Sequence, residues 1–217
     1  MRNYKIEKIL NGRLAEFCYL VHDIDSKDCI CVDPGYDTDR ILKFINQGGY
    51  IIKYILLTHG HFDHMLSCYD FQKKFSCDIY ISKEDSEIIY NAEHNYSNLI
   101  NKTSFDKFEI KDYVKDGDEL QLLNYRIKCI STPGHTKGGI SYYFEDEKVL
   151  FSGDTLFYET FGRVDLYSGD YSEMKNSIEN KLFALPNDVM VYPGHGETTS
   201  IGKEKLHNEI RSMSYEL

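Results

Sequence analysis

The chain has 217 residues, 41% hydrophobic and 28% charged, with a formal net charge of −10. That length suits one domain, 1–217, with a real core, and the acidic balance argues against a broad phosphate-binding surface and a nucleic-acid partner. No apolar run approaches the ~18 residues of a membrane span, so no membrane partner is expected. In chain order, Tyr4 to Leu10, Glu16 to His22 and Cys29 to Val32 read as short strands, with Asn11-Gly12 and Asp25-Ser26 as turns. Thr38 to Gln47 has helical spacing at Ile41, Leu42 and Ile45, with Asp37 as N-cap and Gly48-Gly49 as stop. The run from Tyr50 to Leu57 is apolar and β-prone and reads as a buried strand. A helix is expected over Met65 to Phe75 and a strand over Asp78 to Ile81, and Ser82 to Asp85 resembles a capping box. Residues 91–107 are polar and Asn-rich without a clear period, which predicts a surface loop that either covers a site or decorates it. Strands return at 119–123, 125–131, 140–144 and 147–152. A helix near Ser172 to Phe183, a strand over Asp188 to Tyr192 and a helix from Lys203 to Arg211 complete the chain. Hairpin-spaced strands outnumber strictly alternating strands and helices, so a mixed α/β sandwich fits better than a doubly wound sheet.

The first residues, from Met1 to Lys8, include an acid and no apolar segment, unlike a secretory signal. The six cysteines, at 18, 29, 31, 68, 77 and 129, form no Cys-x-x-Cys pair, and four of them lie in apolar strand-like runs. Reduced, buried thiols in a cytoplasmic protein are the expectation. The sequence carries no readable sign of oligomeric state.

Residues 58–64 read Thr-His-Gly-His-Phe-Asp-His. Packing alone does not call for His59, His61, Asp63 and His64 in so short a span, and their position just past a strand end places them on a loop. Three more strands end the same way. Ile127 to Ile130 leads to His135, Val149 to Phe151 leads to Asp154, and Val189 to Val191 leads to His195. Glycine adjoins or closely precedes each ligand-type residue, as expected where backbone turns sharply near an ion. Five imidazoles and two carboxylates suit zinc, iron or manganese better than calcium or magnesium, which prefer oxygen shells. Seven ligands exceed one tetrahedral ion and suffice for two if a carboxylate bridges. His22, His94 and His207 lie outside these motifs and read as surface or loop histidines.

The run His59-x-His61-x-Asp63-His64, followed by His135, Asp154 and His195, resembles the metallo-β-lactamase superfamily in its glyoxalase-II-like branch. The resemblance extends from about residue 14 to residue 206 and implies a four-layer αβ/βα sandwich of two mixed β-sheets flanked by helices. It implies two divalent metal ions, zinc first, with iron or manganese as alternatives. One ion would take His59, His61 and His135; the other would take Asp63, His64 and His195; Asp154 would bridge. Asp33, in Cys31-Val-Asp-Pro-Gly35, stands where relatives carry an aspartate that buttresses a metal-bound histidine. Its other reading is a turn aspartate before Pro34.

Two dications outweigh Asp63, Asp154 and a bridging hydroxide, which favours a small anionic substrate. By the same resemblance Asp63 and Asp154 are the expected catalytic residues. A thioester suits such a centre, because a thiolate with a conjugate pKa of ~8.5 leaves with little help from a general acid. The expected activity is hydrolysis of an S-acyl thiol to acid and thiol. Glutathione-type glyoxalase II enzymes carry an added helical C-terminal domain, and the sequence past His195 shows no counterpart. The segment Phe161-Gly-Arg-Val-Asp-Leu166 also resembles the persulfide dioxygenases of the same superfamily, which use one iron. A mono-iron oxidoreductase is thus the alternative activity. Arg163 could grip a substrate carboxylate through a bidentate contact, or pair with Asp165 or Asp170.

Overall fold

The computed structural model describes residues 3–212. The ends of the expected 1–217 domain, residues 1–2 and 213–217, lie outside the described residues. Strands β1 (Tyr4–Asn11), β2 (Glu16–Asp23), β3 (Asp28–Val32), β4 (Ile51–Leu56), β5 (Asp78–Ser82) and β6 (Asp112–Val114) form one sheet in that order. The first three pair antiparallel, and β3 to β6 pair parallel. The second sheet takes β7 (Glu119–Leu122), β8 (Tyr125–Ser131), β9 (Ile140–Phe144), β10 (Val149–Gly153), β11 (Met190–Pro193) and β12 (Thr199–Ser200), again in chain order. Here β10 and β11 pair parallel, while the other neighbours pair antiparallel.

Both sheets are covered on both faces, and the strand residues sort by parity. On β2 and β3, Tyr19, Val21, Ile30 and Val32 meet Tyr142, Phe144 and Phe151 of the second sheet in the central core. Their neighbours Cys18, Leu20, Cys29 and Cys31 face the opposite way, onto Ile41, Ile45 and Phe71 from helices. On β10, Leu150 points outward to Met174, Ile178 and Ile201. Successive side chains of a strand point to opposite faces, so an apolar run of period one becomes two cores. Each fully buried large side chain contributes about 1.5–3 kcal/mol. The result is helix, sheet, sheet, helix, the four-layer sandwich expected from the sequence.

The helices are α1 (Thr38–Gly48), α2 (Phe62–Met65), α3 (Cys68–Phe75), α4 (Lys83–Ser86), α5 (Tyr171–Asn176) and α6 (Ile201–His207). Asp37 caps α1 through the Arg40 amide, and Gly49 closes it in the left-handed conformation. The expected helix from Met65 to Phe75 is in fact two pieces. The chain breaks at Leu66-Ser67, where the Ser67 amide bonds the Gly35 carbonyl and its hydroxyl meets that of Thr38. The helix expected from Ser172 to Phe183 becomes α5, a widened π turn over Ser177–Lys181 and a 3₁₀ turn over Leu182–Ala184. Residues 91–107 are irregular except for a 3₁₀ turn at Ser97–Ile100. All six cysteines are buried and unbridged. No helix among the described residues is long and apolar enough to cross a membrane.

Candidate metal centre

Four strand ends converge at one edge of the sandwich. Past β4 the chain runs through Thr58, His59 and His61 and then turns into α2. Asp63 and His64 therefore sit on a helical turn and not on the loop expected from the sequence. His135 follows β8, Asp154 follows β10 and His195 follows β11. Gly194 has no room for a side chain: a Cβ there would collide with Asp154 Oδ1 and His64 Cε1. Gly153, with φ +50°, turns the chain just before Asp154.

The ligand-type atoms fall into overlapping sets. Those of His59, His61 and His135 lie within 4.8 Å of one another, as do those of Asp63, His64 and His195. Asp154 joins His59 and His64 at the same spacing. Its Oδ1 is 3.4 Å from His64 Nε2, and its Oδ2 is 3.4 Å from His135 Nε2 and 3.5 Å from His195 Nε2. Asp63 Oδ2 stands 3.4 Å from His195 Nε2. The histidines are buried except His195, whose side chain is 24% exposed and marks the open side.

Each ring is oriented by what its far nitrogen meets. His135 Nδ1 donates to the Arg163 carbonyl at 2.8 Å, and His195 Nδ1 donates to the Leu14 carbonyl at 3.1 Å. A carbonyl only accepts, so in its neutral form each ring carries its lone pair on Nε2, facing inward. His64 Nδ1 lies 2.9 Å from Asp33 Oδ2. The Thr58 hydroxyl donates to the same oxygen at 2.6 Å and lies 3.1 Å from His59 Nδ1. Asp33 also accepts the Thr58 amide at 2.8 Å, so its carboxylate touches His64 directly and reaches His59 through Thr58. The sequence left Asp33 open between this contact and a plain turn residue. His61 turns its Nδ1 toward His135 Nε2, 2.9 Å away.

The electrostatics divide the set. Burial and the neighbouring imidazoles hold His59 and His61 well below the usual histidine pKa. For His64, burial is outweighed by Asp154, Asp63 and Asp33, which hold its pKa well above the usual value. His195 is raised in the same way, burial being outweighed by Asp154 and Asp63. Asp63 is held well below the carboxylate range, as His64 and His195 outweigh its burial.

The donor set fits a metal. His59 Nε2, His64 Nε2 and Asp154 Oδ1 are buried and have no hydrogen-bond partner among the described residues. Each such atom costs about 1–3 kcal/mol if left unpaired. Cations held between them would satisfy all three, and imidazole with carboxylate suits zinc, iron or manganese.

Asp85, Tyr96 and Thr58 reach the centre without being marked as site residues by their local sequence. Asp85 reaches into the centre's loops, and its helix cap, the Ser82 side chain accepting the Asp85 amide, accounts only for its backbone. Tyr96, in the 91–107 segment, sets its ring edge-on to His61 at 5.3 Å. That segment therefore borders the centre. Thr58 reads as a plain strand-end residue in the sequence. Arg163 is exposed, and its guanidinium forks onto Asp165 at 2.9 and 2.7 Å. Its side chain makes the local pair, while its backbone carbonyl anchors His135. His22 corrects a sequence reading: it is buried on β2, against Tyr50, and is neither a surface nor a loop residue. His94 stacks on Tyr167 at 3.6 Å, and His207 is exposed.

Comparison with known proteins agrees with this geometry. The family model described as the metallo-beta-lactamase superfamily matches residues 11–195. A protein of Haemophilus influenzae named hydroxyacylglutathione hydrolase GloC is 33% identical over 94% of this chain and 96% of its own. The crystal structure of BLEG-1, a B3 metallo-beta-lactamase, superposes with a TM-score of 0.88 at 31% identity, covering 94% of this chain and 98% of that one. The structure of TTHA1623 in a di-iron-bound form superposes with a TM-score of 0.81 at 27% identity, covering 93% and 98%. With the fold, the four converging strand ends and a match over most of its length, this chain belongs to the metallo-beta-lactamase superfamily.

Proposed function

We propose that this protein is a metal-dependent hydrolase of S-acyl thiols that holds two divalent ions, zinc in the first place. The observation that carries this reading is the Asp154 carboxylate, one oxygen at His64 and the other between His135 and His195. A carboxylate so placed serves both clusters at once. His59, His61 and His135 would hold one ion, Asp63, His64 and His195 the other, and Asp154 both. Asp33 would fix the His64 ring and, through Thr58, the His59 ring. The di-iron form of TTHA1623 supports a two-metal centre on this fold, and the name of GloC supports a thioester substrate.

When bound, the ions supply Lewis acidity toward a carbonyl and water activated near neutral pH. The chain supplies the rest. Burial and the neighbouring imidazoles favour the neutral form of His59 and His61, and the contacts at Nδ1 of His135, His195 and His64 turn the Nε2 atoms of those rings inward. His195 lies on the exposed side, where an acyl group enters. A thioester needs no strong general acid to release its thiolate, and the set of acids at the centre is committed to metal or to hydrogen bonds. Arg163 sits on the rim. Its pair with Asp165 is exposed and screened by solvent, so a substrate carboxylate can take its place with the same bidentate geometry. Six buried thiols without a disulfide support a cytoplasmic setting.

The test is thiol release from a panel of S-acyl thiols, S-lactoyl thiols included, with metal content measured on the same samples. Hydrolysis with close to two zinc ions per chain is expected. Asp154→Ala should lower kcat/KM by at least about 100-fold together with metal content. No rate above background on any acyl-thiol would end the reading, and one iron per chain with persulfide-dependent oxygen uptake would replace it with sulfur oxygenation.

A further inference from the structure

Asp85 lies outside the seven ligand positions, yet its carboxylate ties together two of the loops that carry them. It is 1% exposed. Oδ2 accepts the Gly60 amide at 2.8 Å and the Thr136 hydroxyl at 2.8 Å, and Oδ1 accepts the Gly138 amide at 2.7 Å. Gly60 separates His59 from His61, and Thr136 follows His135. All three donors thus belong to the segments of the three-histidine cluster. The other cluster is held by different partners, His64 by Asp33 and His195 by the Leu14 carbonyl.

The strut has a firm base. Asp85 belongs to α4 at the end of β5, where the Ser82 hydroxyl accepts the Asp85 amide at 3.1 Å. One donor segment follows β4 of the first sheet and the other follows β8 of the second. The carboxylate therefore spans the two sheets at the point where their histidines meet. Glycine permits the approach: a Cβ on Gly138 would collide with the Asp85 carboxylate, and one on Gly60 would fall 2.8 Å from the Asp85 carbonyl oxygen. A carboxylate is an acceptor at both oxygens, as two facing backbone amides demand. An asparagine would turn an NH₂ group against one of those amides and leave it unpaired.

We propose that Asp85 is a positioning residue that sets the spacing of His59, His61 and His135 and so tunes the metal affinity of that cluster alone. This rests on the two-metal reading and adds a residue that controls one half of the centre. Asp33 touches both clusters, His64 directly and His59 through Thr58, whereas the side-chain contacts of Asp85 go to the segments of the three-histidine cluster alone.

Zinc titration of the metal-stripped full-length protein, against a chromophoric chelator, tests it in wild type, Asp85→Asn and Thr136→Val. Asp85→Asn is expected to weaken one ion about 10–100-fold and leave the other within about threefold. Thr136→Val, which removes one donor, should weaken the same ion by a smaller factor. Cobalt(II) absorption at one and two equivalents identifies the affected ion by the loss of the nitrogen-rich site's spectrum. Circular dichroism of the metal-free variants reports folding. A folded Asp85→Asn that binds both ions as wild type does would overturn the proposal, and so would equal weakening of both, which denotes general loosening. If Asp85→Asn does not fold, Thr136→Val decides: two wild-type affinities there overturn it. A wild type that binds fewer than two ions defeats the two-metal reading itself, and that result is visible before any variant is compared.

Discussion

At the scale of single residues, the centre works through what each far nitrogen touches. The imidazoles of His135 and His195 are pinned by carbonyls, and that of His64 by a carboxylate. His64 and His195 hold protons above the usual histidine pKa in the metal-free chain, because Asp154 and Asp63, joined at His64 by Asp33, outweigh burial. A metal ion needs those nitrogens unprotonated. A folded pKa raised above the usual ~6.5 means that each ring keeps its proton to higher pH than a free imidazole and loses it only as pH rises through the raised value. Metal uptake at neutral pH should therefore release protons, and affinity should fall as pH falls. Calorimetry in two buffers of different ionisation enthalpy measures this; identical heats in both would contradict it.

Residue identity and residue partners differed in legibility. His59, His61, Asp63, His64, His135, Asp154 and His195 announce themselves as ligand types beside glycines at strand ends. Thr58 and Asp85 do not, because their roles depend on partners distant in the chain. Asp85 meets Gly138, which its sequence neighbourhood cannot indicate. Its visible signal, the Ser82-to-Asp85 cap, concerns its backbone amide. Arg163 shows the same division, with a side chain that pairs locally and a carbonyl that reaches His135.

At the scale of elements, the site depends on how tightly strand ends approach. Gly194 follows β11 with Asp154 and His64 against it. Gly194→Ala is expected to cost about 1–3 kcal/mol by overpacking and to reduce metal content at the same time. Thermal melting with elemental analysis checks both; a variant with full metal content would show that the contact gives way easily. Strand parity and helix caps were readable, since both are local. Helix continuity was not. The break at Leu66-Ser67 follows from the Ser67 amide bonding Gly35, and this pairing comes from a distant loop. The π turn at Ser177–Lys181 begins where the Ser177 hydroxyl bonds the Pro133 carbonyl, two residues before His135. Apolar spacing continues through both irregularities, so periodicity alone predicts one helix in each place.

At the scale of the molecule, the two sheets contribute separate halves of the centre. The run from His59 to His64 follows the first sheet's β4, and His135, Asp154 and His195 follow strands of the second. An ion held between them cross-links the sandwich and binds only the folded chain. At a hundredfold excess over Kd it should add about 2.7 kcal/mol, or about 5–10 °C in melting temperature for a chain of this size. Scanning calorimetry with and without a chelator tests this, and an unchanged midpoint would mean the ions do not bridge the sheets.

The sequence by itself determined the family, the two-sheet sandwich and the seven ligand-type residues. Those depend on local order: parity along strands, glycine at turns, and histidine and aspartate spacing in one run. The tertiary structure decided the distances within the clusters, that Asp33 touches His64 directly and His59 through Thr58, and that Asp85 ties the segment of Gly60 to that of Thr136 and Gly138. These are matters of approach between β3, β4, β8, β10 and β11, and chain spacing carries no information about distances across two packed sheets.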